Sequence, residues 1–190
     1  MSDGFVIVDP GMASALLSGR KTQLRLLAAS AQPCPAAGDR LLVREACIAG
    51  RYIDGKVFST ALARAEFMIF WDGWRQHRDG SVIKGRAPTD PDHDWLPALR
   101  MPVWGARAML VVDWSRTEPL QHITRRDIRA EGASALLGGL SWRWPRPIPG
   151  RRLTAHRAFA HYWDVSHASP GERWADDPLV HVVGFHRDSG

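Results

Sequence analysis

Lysine is scarce in this chain: Lys21, Lys56 and Lys84 stand in a background where the other basic side chains are arginine and histidine. Lys21 lies in the run Gly19-Arg20-Lys21-Thr22-Gln23-Leu24-Arg25. Arginine keeps its proton near neutral pH, whereas a partly desolvated lysine can release one. Lys21 is therefore a candidate for chemistry as well as for electrostatic contact. Two glutamates are candidate companions. Glu45 and Glu131 could each hold an ammonium or act as a general base. Glu131 falls at the end of a predicted helix, where a negative charge opposes the macrodipole, which slightly favours a non-local role. Plainer readings of the same residues are a solvated strand-edge lysine and a carboxylate paired with an arginine across a sheet.

A second set of residues suits binding. Arg25, Arg44 and Arg107 could line a groove and clamp a phosphate or a base edge through two parallel hydrogen bonds. Trp104 could stack an unpaired base. Trp142, Arg143, Trp144 and Arg146 make a basic aromatic stretch of the kind that holds single-stranded nucleic acid. Each arginine could equally be an ion-pair partner, and each tryptophan a core residue. Asp90, Asp92, His93 and Asp94 form an acidic cluster without the spacing of a ligand set, so no metal or cofactor is expected.

These side chains need elements to position them. Phe5-Val6-Ile7-Val8 reads as a first strand. Asp9 is a good N-cap and Pro10 a good first residue for a short helix through Ser18, which Gly19 stops. Lys21 to Leu27 then runs extended, which puts Lys21 at a helix-to-strand junction. Gly38-Asp39 turns the chain into a strand from Arg40 to Ile48, and Asp54-Gly55 marks a hairpin within residues 52–60. Residues 61–74 fit helix or strand equally well. Residues 77–94 read as a polar surface loop, and Ala106 to Trp114 as a long strand. Thr124, with Asp127 three residues on, caps a short helix that ends at Glu131-Gly132. Residues 133–152 read as an irregular loop. Thr154 opens an amphipathic helix carrying Phe159, Tyr162 and Trp163, and a strand from Pro178 to His186 closes the chain.

With 190 residues, the chain suits one domain (1–190) carrying loop insertions near 75–98 and 133–153. Strands outnumber short helices without alternating with them, which gives an α+β class built on a strongly curved sheet or barrel. A net charge of +5 favours an anionic partner, with nucleic acid first, and a solvated basic surface explains it about as well. No apolar run approaches the length of a membrane span, and Met1-Ser2-Asp3-Gly4 does not open a secretory signal. Cys34 and Cys47 make neither a metal motif nor a disulfide framework. The expectation is a reduced, cytoplasmic protein.

Taken in order, these stretches resemble the ASCH family of the PUA-like superfamily, and within it the phage- and prophage-encoded members. The family pattern runs Gly-Arg-Lys-Thr-Gln-Thr-Arg-Arg, then Gly-Asp-x-Leu-x-Val-Arg-Glu, then Met-Pro-x-Trp-Ala-x-Arg. This chain carries Gly19 to Gln23, Gly38-Asp39 through Arg44-Glu45, and Met101-Pro102-Val103-Trp104-Gly105-Ala106-Arg107. Leu120-Gln121-His122-Ile123, Ile128 through Gly132, and Trp174 through Phe185 complete the likeness. The resemblance implies a PUA-like curved β-barrel with short flanking helices, and a basic cleft that binds RNA or a nucleotide, a single strand before a duplex. Small bacterial ASCH enzymes that remove the acetyl group of N4-acetylcytidine use a lysine, a threonine and a glutamate. Lys21 and Glu131 match two of these, whereas Leu24 stands at the threonine position and Leu26 replaces an arginine. A leucine cannot be a nucleophile. The alternatives are a hydrolase, either a ribonuclease or an amidohydrolase, and a phage-associated adaptor that binds protein through the Trp/Arg stretch.

Overall fold

The apolar run near the N-terminus forms strand β1 (Asp3–Ile7) and hands over to helix α1 (Pro10–Leu17). Asp9 caps that helix, its carboxylate accepting from the backbone N–H of Met12 at 2.8 Å. Gly19, at φ +73°, ends it. Strand β2 (Gln23–Leu27) follows, then β3 (Arg40–Arg44). The expected strand through Ile48 breaks after Arg44, because the chain diverts to pair Cys47 with Leu96. It resumes as β4 (Ile48–Ile53), joined to β5 (Lys56–Ser59) through Asp54-Gly55 as anticipated. The ambiguous segment contains β6 (Phe67–Ile69), whose three residues are all buried. The computed structural model describes residues 3–30, 33–88, 94–145 and 150–188.

Two stretches expected to be loops carry strands. β7 (Trp74–His77) and β8 (Val82–Lys84) form a hairpin where polar residues had masked the pattern. After the long β9 (Met109–Pro119) and helix α2 (Arg125–Ala130), β10 (Ser134–Leu136) and β11 (Ser141–Arg143) form another. The chain finishes with α3 (Ala155–Ser166) and β12 (Leu179–Arg187).

The architecture is α+β. One five-stranded sheet has the order β1-β3-β9-β12-β2 and a second the order β5-β4-β6-β7-β8. β1 pairs parallel to β3, and the remaining pairings are antiparallel. The closed barrel expected from the resemblance is not formed by the described strands. β1 and β2 end the first sheet without bonding to each other, and side chains of α3 lie beside both.

The main core lies where α1, α2 and α3 meet the first sheet. From α3 it takes Ala155, Ala158, Phe159 and Trp163, one stripe of a 3.6-residue period. Trp142 and Trp144 belong to this core rather than to an exposed stacking loop. Both are buried; Trp144 lies on Tyr162 at 4.3 Å, and the Trp142 Nε1–H donates to the carbonyl of Gly139 at 3.1 Å. Arg125 and Arg129 of α2 lie over the Trp142 ring, so the arginine-tryptophan pairing is internal. Replacing Trp142 by alanine should therefore cost about 3–5 kcal/mol of folding stability, as core aromatic truncations do. Urea unfolding measures it, and a loss under about 1 kcal/mol would return this tryptophan to the surface.

Candidate functional site

Two helix ends, each closed by a glycine, bring Lys21 and Glu131 together. At the end of α1 the N–H of Gly19 donates to Leu16 O, and those of Arg20 and Lys21 both donate to Ala15 O. These bonds fix the backbone of Lys21 directly beneath the helix. Glu131 is the C-cap of α2, and Gly132 follows at φ +108°. A side chain at 132 would be strained by that φ, and its Cβ would lie 3.2 Å from the Cβ of Ala15. The Thr22 N–H donates to Ala130 O at 2.8 Å and ties the two ends together.

The Lys21 ammonium donates to Glu131 Oε2 at 2.7 Å and to the Glu131 backbone carbonyl at 3.2 Å. Arg25 donates to the other oxygen, Oε1, at 2.8 Å. The Lys21 and Glu131 side chains are 4% and 3% exposed, so the pair is desolvated. Arg25 also donates to Glu118 at 3.0 Å, and Arg116 binds the same carboxylate. Burial pushes the Glu118 carboxyl up, but Arg116 and then Arg25 outweigh it and hold the group below its ordinary range. Asp127 is likewise held low, burial being outweighed by its hydrogen bonds from Thr124 and by Arg25 and Arg116. Three cations and three carboxylates thus form one neutral cluster.

This cluster forms part of the lining of a cavity of about 480 Å³. Val6, Ile7 and Val8 flank it on the β1 side and Leu24 to Leu27 on the β2 side; Phe159, Tyr162 and Trp163 come from α3. The cavity occupies the interval where the sheet stays open. The edges of β1 and β2 that face it carry backbone N–H and C=O groups with no strand partner. Asp9 and Tyr162 also line it. Burial raises the Asp9 carboxyl despite its bonds to the α1 backbone, and burial raises the Tyr162 phenol, which therefore keeps its proton. Asp9 had been readable only as a helix cap and Tyr162 only as part of an apolar stripe. Nothing in their spacing marks a shared cavity.

The other expected site residues fall elsewhere. Glu45 does not meet Lys21. It is bound by Arg107 through two hydrogen bonds of 2.9 and 2.7 Å, and Arg107 also holds Asp72 and lies over the Phe70 ring at 3.9 Å. Burial raises the Glu45 carboxyl against the pull of Arg107. Arg44 donates to the carbonyl of Leu99 and covers Phe5. Trp104 is half-buried in the second sheet's core, with Arg78 over its ring at 4.4 Å. Arg25 and Arg107 are held by carboxylates in separate clusters and Arg44 by the Leu99 carbonyl, so the expected clamp of Arg25, Arg44 and Arg107 is not assembled. Arg143 is exposed. Arg146 lies outside the described residues, as do Asp90, Asp92 and His93. Among the described residues no three His, Cys, Asp or Glu side chains are grouped to hold a metal ion.

Three outcomes follow from this arrangement. Glu131→Gln leaves Lys21 buried without a countercharge, and should cost about 3–5 kcal/mol in urea unfolding; a loss below about 1 kcal/mol would mean that water reaches the pair. Glu118 and Asp127 have folded values below their ordinary 4.5 and 3.8, so the folded protein binds fewer protons in that range. Their stabilising contribution is present above those values and is lost as pH falls through the lowered ones. The urea midpoint should drop on the acid side, with a shallower drop in Glu118→Gln; equal slopes would contradict the assignment. Cys47 is buried and its thiol is pushed up to about 12, whereas Cys34 is exposed. An aromatic disulfide reagent should label one thiol of the native protein quickly and the second only on unfolding; two fast thiols would show that the second core is open.

No family model matches the chain, and no curated protein matches it in sequence. Among solved structures, an ASCH domain from Lactobacillus crispatus JV V101 is similar at 12% identity and a TM-score of 0.45, over 98% of this chain and 78% of that one. A protein from Enterococcus faecalis V583 described under the family-model DUF984 is similar at the same 12% identity and TM-score of 0.45, over 98% of this chain and 80% of its own.

Proposed function

We propose that the protein binds RNA by taking one unpaired nucleotide into the cavity between β1 and β2. The observation that carries this reading is the hydrogen-bonding capacity left at Lys21 and Glu131. An ammonium has three donors, and Lys21 uses two on Glu131. Each Glu131 oxygen accepts one bond and retains a further lone pair. The pair therefore offers a donor and an acceptor side by side, the complement of a nucleobase edge. Aromatic and aliphatic walls, and a volume within the ~300–1,000 Å³ range of small-molecule sites, suit a flat heterocycle. Unpaired bases are read in this way, by hydrogen bonds at their edges and apolar contact on their faces. The ordered ASCH-like motifs and the +5 charge support the same reading.

The cavity favours binding over acetyl transfer to a hydroxyl. Leu24 is buried and lines the cavity at the position where the related enzymes carry threonine. Thr22 is exposed and lines a different depression, beside Trp114 and Arg126, so it does not replace the missing hydroxyl. The adaptor reading loses its main support, because Trp142 and Trp144 are core residues.

Calorimetric titration with cytidine and uridine tests the cavity. Lys21→Met should weaken nucleoside binding about 10- to 150-fold, the worth of one hydrogen bond to a charged group. No binding to the intact protein, or equal binding by the variant, would remove the site. Incubation with N4-acetylcytidine should release no cytidine from the native protein. Turnover by the native protein that Lys21→Met abolishes would make it a hydrolase instead, and turnover appearing only in Leu24→Thr would show that the hydroxyl alone was lacking.

A further inference from the structure

Two of the arginines that no carboxylate holds lie on the outer side of the cavity wall. Neither Arg20 nor Arg143 has a carboxylate partner among the described residues; the Arg20 guanidinium donates to the hydroxyl of Ser18, and both side chains are exposed. They line a second cavity of about 350 Å³ together with Trp71 and Trp144. Chain neighbours divide between the two spaces. Lys21 and Asp9 line the inner one, while Arg20 and Pro10 line the outer one. The wall between them includes a stacked ring pair, Tyr162 lining the inner cavity and Trp144 the outer, at 4.3 Å and 16°.

Trp71 is the remaining element. It is 54% exposed, which is unusual for an indole, and it is presented by a fixed turn between β6 and β7. The Gly73 N–H donates to Phe70 O at 2.9 Å and the Phe70 N–H to Trp74 O at 3.0 Å. A Cβ at Gly73, which has φ +84°, would lie 2.7 Å from backbone atoms of Gly85 and Ala87, so the turn is packed against the following segment. Asp72 beside it also lines the groove, and its carboxylate is bound by Arg107, which it shares with Glu45. A preorganised aromatic face next to two unpaired guanidinium groups matches a planar ring joined to an anion. The Trp71 ring meets Trp95 at 5.8 Å and 38°, a tilted contact, and is still 54% exposed; an acidic peptide would use the cations but not that exposed indole.

We propose that this outer groove binds the nucleotide adjoining the one in the inner cavity, with its phosphate between Arg20 and Arg143 and its base on Trp71. The protein then holds two consecutive unpaired nucleotides of a single strand, one on each side of the Trp144–Tyr162 wall. This rests on the reading of the inner cavity as a nucleotide site.

The test is fluorescence polarisation with a fluorescein-labelled uridine octamer across a salt series, alongside calorimetry with free uridine. The one phosphate held between the two arginines, at ~0.7 per phosphate, should make the log–log salt slope of Arg20→Ala/Arg143→Ala shallower by ~0.7. Trp71→Ala should weaken octamer binding roughly 5- to 150-fold without changing the slope, and neither variant should alter uridine binding. All three side chains are exposed, and circular dichroism confirms that the variants fold. An unchanged slope, with octamer and uridine still bound, overturns the groove and leaves the inner cavity standing. A shallower slope with no uridine binding by any form supports the groove and removes the inner site. Failure of the intact protein to bind the octamer overturns both. Displacement of the octamer by an equal concentration of an oligoglutamate peptide would make the groove a site for acidic protein segments and overturn the nucleotide assignment.

Discussion

The ion cluster centred on Glu131 is the constraint around which the first sheet and its helices are arranged. A buried carboxylate is stable only if its charge is matched and its oxygens are hydrogen-bonded. Glu131 meets that condition with Lys21 on one oxygen and Arg25 on the other. Lys21 comes from the end of α1 and Arg25 from β2, so one side chain fixes the end of α2 against two other elements. Glu118 and Arg116 extend the cluster to β9, and Asp127 to the first turn of α2. The helix end is an unfavourable place for a glutamate by its own dipole, and only this non-local compensation makes it tolerable.

The open edge of the first sheet follows a related logic. Strand edges with unpaired backbone groups are costly when dry and prone to pairing when exposed. Here both strands border a cavity that is also lined by α3 and by Lys21, Arg25 and Glu131. Phe159, Tyr162 and Trp163 of α3 line that cavity together with residues of β1 and β2. The opening between β1 and β2 thus coincides with the space that the proposed function uses.

The second sheet repeats the arrangement on a smaller scale. Arg107 is held by two bonds to Glu45 and by Asp72, and covers Phe70. Burial lowers the affinity of the Arg107 guanidinium for its proton, and Glu45 and then Asp72 more than restore it. Spending both Arg107 and Arg25 on internal carboxylates explains why the net positive charge does not translate into a cationic cleft at Lys21. The cations left for solvent and ligands are surface arginines outside those clusters.

Local chemistry in the sequence determined much of this molecule. Asp9-Pro10 and Thr124 with Asp127 specify helix starts, Gly19 and Gly132 specify helix ends, and Asp54-Gly55 specifies a hairpin, because each acts through backbone groups within a few residues. For Glu131 the sequence offered a hint of a non-local role, a charge that its own helix disfavours, but not which groups would meet it. The short strands β6 to β8 and the hairpin of β10 and β11 were not legible: three or four residues give too few alternations to define a period. Which arginines and tryptophans face solvent was decided only by tertiary structure. Arg25 and Arg143, or Trp142 and Trp71, are chemically alike in the sequence. Their roles differ because folding sets carboxylates from other elements against Arg25 and arginines of α2 over Trp142, while Trp71 and Arg143 are left facing outward. Burial and charge pairing depend on what the rest of the chain brings within a few ångströms, and a side chain's own neighbours in sequence do not encode that.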